Sequence, residues 1–125
     1  MTMTYAIKIP GPDHPITIDP SDDRVTVRAE GVLLAESTST LVMREASYPP
    51  VRYIPLADVD RSRLHDSDMT TYCPYKGHAS YLSITDAGQG DDAVWFYDQP
   101  YPAVEPIRGH VAFYADRVQI DIEQA

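Results

Sequence analysis

Apolar and polar positions alternate along most of this chain. In Arg24-Val25-Thr26-Val27-Arg28-Ala29, Val25, Val27 and Ala29 fall on one face of an extended segment, with Thr26 and Arg28 on the other. Glu30-Gly31 follows as a turn, since Gly accepts positive φ without steric cost, and Val32 to Glu36 returns as the second arm of a hairpin. Further short apolar segments are Ile16-Thr17-Ile18, Leu41 to Glu45, Val51 to Ile54 and Ala79 to Ile84. Ala93 to Tyr97 is apolar at every position, which predicts a strand buried on both faces. Val111 to Tyr114 and Val118 to Ile122 read as a closing hairpin.

The breaks are equally regular. Ser37-Thr38-Ser39 is polar, Tyr48-Pro49-Pro50 must be extended or turning, Asp86 to Asp92 is rich in glycine and acid, and Gln99-Pro100-Tyr101-Pro102 stops a strand. The best helix candidate is Asp58 to Leu64, one or two turns with Asp58 as cap. About eight short strands punctuated by prolines predict an all-β chain, mainly two packed antiparallel sheets in a sandwich or tent-like pair. Residues 1–15, broken by Pro10, Gly11, Pro12 and Pro15, read as an irregular N-terminal arm, and 16–125 as a single β domain.

Composition narrows the function classes. The 125 residues suit one domain, large enough to fold without a metal or disulfide. The net charge of −9 disfavours nucleic acid and anionic membrane surfaces, which are bound through clustered Lys and Arg. No apolar run approaches a membrane span. The lone Cys73, with no secretory signal pattern at the start, points to a reducing, cytoplasmic setting. The proline-rich arm and the apolar closing hairpin are the surfaces a homodimer would use.

The candidate chemistry gathers in Thr70-Thr71-Tyr72-Cys73-Pro74-Tyr75-Lys76-Gly77-His78-Ala79-Ser80-Tyr81. Together with Glu45-x-x-x-Pro49-Pro50-Val51-x-Tyr53-Ile54-Pro55-x-x-Asp58-Val59, Trp95-x-Tyr97-x-x-Pro100 and Ile107-x-Gly109-x-Val111-Ala112-Phe113-Tyr114, this stretch resembles the signature of the domain-of-unknown-function family numbered 427. The resemblance extends from about residue 14 to 122. It implies one compact β domain of the β-tent kind, as in methionine sulfoxide reductase B-like proteins. It implies no established activity, although some catalogues call the family nucleotidyltransferase-like.

Cys73 and Lys76 form the sharpest pair, because an ammonium beside a thiol favours the nucleophilic thiolate. In a straight strand they point to opposite faces, but Pro74 and Gly77 permit a bend that would let them converge. Glu45 completes the candidate catalytic set as a base or orienting carboxylate, with Lys76 as anion binder or general acid. Trp95 and Tyr97, two apart on one strand, share a face and with Tyr53, Tyr81, Arg52 and Thr71 would wall a small-molecule pocket. The competing expectation is structural: a buried thiol packed as a small hydrophobe, ordinary aromatic core, and a Pro-Tyr-Lys-Gly corner whose lysine pairs with a buried carboxylate. Such a chain would be a non-catalytic interaction module, and the residues leave open whether it is an enzyme.

Other chemistry is poorly supported. Methionine sulfoxide reduction lacks a second, resolving cysteine. The four histidines show no ligand spacing, and the sequence calls for no metal or cofactor. Asp58, Asp60, Asp66 and Asp68 resemble the carboxylate pairs of nucleotidyl transfer, but no glycine-rich turn opening a helix accompanies them. Asp58 is expected to cap a helix and the other three to be solvated loop residues.

Overall fold

The computed structural model describes residues 5–125 of the chain; Met1 to Thr4, part of the expected arm, lie outside the described residues. Among the described residues, ten strands form two antiparallel sheets. The strands are β1 (Ile16–Pro20), β2 (Arg24–Ala29), β3 (Val32–Ser37), β4 (Leu41–Glu45), β5 (Val51–Pro55), β6 (Leu64–Cys73), β7 (Gly77–Ile84), β8 (Val94–Phe96), β9 (His110–Phe113) and β10 (Gln119–Glu123). The larger sheet runs β1-β4-β5-β9-β8-β7-β6 and the smaller β10-β2-β3. The helical content described is three 3₁₀ segments, the longest at Pro102–Ile107. No helix among the described residues is long and apolar enough to cross a membrane.

The inner strands of the large sheet are covered on both faces, which explains their apolar runs, whereas β1 and β6 at its flanks are largely exposed. Ile54, Val94, Val111 and Phe113 face the small sheet and pack with Val25, Val27, Leu34 and Ala35. Their alternate neighbours Tyr53, Trp95, Tyr97 and Ala112 face the other way, into a second core with Met43, Ala79, Tyr81, Val104 and Ile107. Strand β8 lies inside the sheet between β9 and β7, as its apolar run predicts.

Three local expectations are corrected. The one or two helical turns expected over 58–64 are present as 3₁₀ turns at Leu56–Asp58 and Arg61–Arg63, but the cap is Asp60, whose side chain accepts from Ser62 N at 3.2 Å. Asp58 instead accepts from Ser37 Oγ at 2.6 Å, tying the turn to β3. Leu64–Cys73, where Asp66 and Asp68 were expected in a loop, is the longest strand; its register slips between Asp66 and Thr70, which hides its alternation. Finally, β9 and β10 do not form a hairpin. β10 crosses to the small sheet, where Ile120 and Ile122 sit opposite Val27 and Val25 of β2. Apolar alternation specifies a strand's face but not its partner.

One glycine holds the loop before β8 against the sheet. Gly90 is buried, its carbonyl accepts from Ile84 N at 2.8 Å, and a Cβ there would lie 2.3 Å from Ile84 O and 2.9 Å from Ile84 Cβ. Gly90→Ala is expected to cost about 2 kcal/mol through this overlap. Urea unfolding of the two proteins checks it: a lower midpoint with unchanged slope is expected, and an unshifted midpoint would mean that the loop yields freely.

Candidate functional site

The central stretch folds as the β6–β7 hairpin. Lys76 N donates to Cys73 O at 3.2 Å, and Gly77, opposite Cys73 in the register, adopts φ +110°, which side-chain-bearing residues avoid. The turn projects Lys76 toward the far side of the same sheet. Its Nζ donates to Glu45 Oε1 at 2.6 Å, from the end of β4. β4 and β7 stand four places apart in the sheet order, about 19 Å in a flat sheet. Two side chains cannot bridge that gap, so the sheet curls and brings its flanks together over the second core.

The N-terminal segment closes the cluster. Lys8 N donates to Pro74 O at 2.9 Å, and the His14 ring stacks on Tyr75 with centroids 4.0 Å apart and planes at 4°. His14 Nε2 donates to Glu45 Oε2 at 2.7 Å, so both carboxylate oxygens are engaged. The Glu45 and Lys76 side chains are each 14% exposed. Burial by itself pushes the Glu45 carboxyl upward, but hydrogen bonds from Lys76 and His14 outweigh it and hold the group below the ordinary glutamate value.

Beside this cluster lies the aromatic face. Trp95 Nε1 donates to Tyr53 Oη at 3.2 Å, with the rings edge-on at 6.3 Å, and Tyr114 lies against Trp95 at 4.5 Å. Tyr81 Oη shares hydrogen bonds with Thr71 Oγ1 at 2.9 Å and Tyr114 Oη at 3.5 Å. Burial raises the hydroxyls of Tyr53 and Tyr97. Burial and the bond with Tyr81 push Tyr114 up to about 12. These phenols therefore stay protonated near neutrality and serve as hydrogen-bonding groups, not bases.

Of the residues expected to share a site, Glu45, Lys76, Arg52 and Trp95 line one groove of about 700 Å³, with Tyr48, Tyr114 and the apolar side chains of Val51, Phe113, Ile120 and Ile122. Tyr53, Tyr81 and Tyr97 do not reach it; they are buried behind Trp95 as a supporting layer. Thr71 orients Tyr81 from the exposed strand β6. Arg52 is committed to the gap between the sheets, donating to Asp23 Oδ2 at 3.1 Å and Ser21 Oγ at 3.0 Å. Cys73 makes no side-chain hydrogen bond with Lys76. The half-buried thiol packs against the second core and has no hydrogen-bond partner among the described residues.

Residues missed in the sequence are His14, Tyr75, Tyr48 and Tyr114. Tyr114 lies inside the Val111 to Tyr114 run that carries the family resemblance, so a signal for it existed. His14 gave none: 31 residues separate it from Glu45 and only the fold joins them.

With the groove described, its relatives can be compared. Residues 17–124 match the family described as Domain of unknown function (DUF427). The chain belongs to this family. No curated protein matches it. The family's nucleotidyltransferase-like label draws no support from the acidic residues named above: Asp58 is bonded to Ser37, Asp60 caps a turn, and Asp66 and Asp68 are exposed on β6. Among the described residues, no three His, Cys, Asp or Glu side chains converge as metal ligands do.

The Glu45 carboxylate links stability to pH. Its folded value is lowered, so its contribution is complete above the unfolded value of about 4.3 and is lost as pH falls through the folded value. Glu45→Gln is expected to lose about 2 kcal/mol at pH 7, with the gap to wild type closing in that acid window. Urea unfolding at pH 3 to 7 measures it; a gap independent of pH would show that the charge contributes nothing.

Proposed function

We propose that the protein binds a small molecule in the groove between Trp95 and the Glu45–Lys76 pair. The observation that carries this is the meeting of an apolar, aromatic-walled groove with a charged hydrogen-bonding pair in one place. A planar ligand stacks on the Trp95–Tyr114 wall, and its acceptor oxygen, such as a carboxylate, takes the N–H groups of Lys76 that Glu45 leaves free. Any chemistry falls to Glu45 and Lys76, a proton acceptor and donor 2.6 Å apart, with Cys73 a packing thiol. The lone free thiol favours a cytoplasmic setting, and the charge of −9 argues against nucleic acid as the ligand.

A structural role competes with this one, and one observation favours it. Lys76 is already paired, and the pair spans the flanks of the curled sheet. The Cys-Pro-Tyr-Lys-Gly turn is then a corner of a non-catalytic interaction module, and the exposed Ile122 and Tyr48 at the groove margin give a homodimer its contact.

Two variants separate the roles, with indole-3-carboxylate and uncharged indole as probes in ligand-observed NMR. For a binding site, Lys76→Met stays folded and weakens the carboxylate at least tenfold but indole little, while Trp95→Leu weakens both. A wild type that binds neither probe, with Lys76→Met losing about 2 kcal/mol or more, favours the structural corner.

A further inference from the structure

The opposite face of the large sheet is incompletely covered. The small sheet packs on Ile54, Val94 and Phe113 but leaves the end bearing Leu64, Leu82 and Phe96 half-buried. A cavity of about 320 Å³ opens there, floored by those three side chains with Leu56 and Val111. An apolar cavity of about 150 Å³ already admits benzene, so this one takes a single ring with a short arm.

Its polar rim is asymmetric. Asp66 and Asp98 both line it; among the described residues neither carboxylate is in a direct hydrogen bond or ion pair, although the Arg108 guanidinium, which donates to Asp98 O at 3.3 Å, attracts the Asp98 charge from nearby. His110 Nδ1 lies 2.9 Å from Arg108 O. A carbonyl only accepts, so Nδ1 carries the proton and Nε2 is left facing outward without a partner among the described residues. His65 Nδ1 is held 2.8 Å from Thr85 Oγ1. Among the described residues of the lining, Arg61 is the one permanent cation, against two carboxylates. The chain's charge of −9 adds a field that draws cations.

We propose that this cavity is a second small-molecule site, for an ammonium compound carrying one apolar ring. The ring fills the floor of Leu64, Leu82 and Phe96, and the ammonium donates to Asp66 and Asp98. The site is separate from the Trp95 groove, with which it shares no lining residue.

Amide chemical-shift titrations with phenethylammonium, 2-phenylethanol and 3-phenylpropionate test it. Saturable shifts are expected at Leu64–Asp66, Leu82, Phe96–Asp98 and His110–Val111, with the ammonium tightest and the carboxylate weakest. The double variant Asp66→Asn, Asp98→Asn changes two exposed side chains and leaves the floor intact. It should weaken phenethylammonium about five- to tenfold and abolish its preference over the alcohol, and added salt should weaken the wild type likewise. Shifts confined to Trp95 and Tyr114, equal or tighter binding of the carboxylate, or no saturation overturn the proposal. None of these outcomes decides whether the Trp95 groove binds indole-3-carboxylate.

Discussion

The fold depends on curling a seven-stranded sheet until its flanks meet. The bond between Lys76 on the β6–β7 turn and Glu45 at the end of β4 marks the closure. Two charges at this level of burial are stable only when paired and hydrogen-bonded, and Glu45 meets that condition twice, through Lys76 and His14. Removing one partner leaves a desolvated charge, so the cluster constrains how the hairpin, β4 and the N-terminal segment sit together. Curling also creates the second core, since Met43 from one flank and Ala79 from the other reach the same Tyr53 and Tyr81.

The abundance of tyrosine follows from the same geometry. A concave face lined by large rings fills the curl, and each buried hydroxyl needs a partner. Trp95 supplies one for Tyr53, and Thr71 and Tyr114 supply them for Tyr81. This layer holds Trp95 rigid at the groove wall. The ion pair that closes the sheet therefore also stands at the edge of a groove.

Much of this was legible in the chain. Alternation located the β2–β3 hairpin and its Glu30-Gly31 turn, both residues of which adopt positive φ. The shared face of Trp95 and Tyr97, and with it Tyr53 and Tyr81, also follows from period-two geometry. The candidate site was less legible. Glu45, Lys76, Arg52 and Trp95 do meet in one groove, whereas Cys73, paired with Lys76 in the sequence because an ammonium favours a thiolate, is not among the residues that line it. The stacking of His14 on Tyr75 escaped notice because a contact across so long a chain separation leaves no periodic mark.

By itself the sequence determined the fold class, most strand positions and which residues share a face, because these depend on local backbone geometry and burial of alternate side chains. Only the tertiary structure decided which strands are neighbours: that β10 joins β2, that β6 extends through Asp66, and that β4 reaches β7 across three intervening strands. It also decided that the lysine of the central hairpin pairs with Glu45 and not with Cys73. Those choices rest on sheet curvature and long-range closure, whose free energy is shared by residues far apart in the chain and is written at no single position.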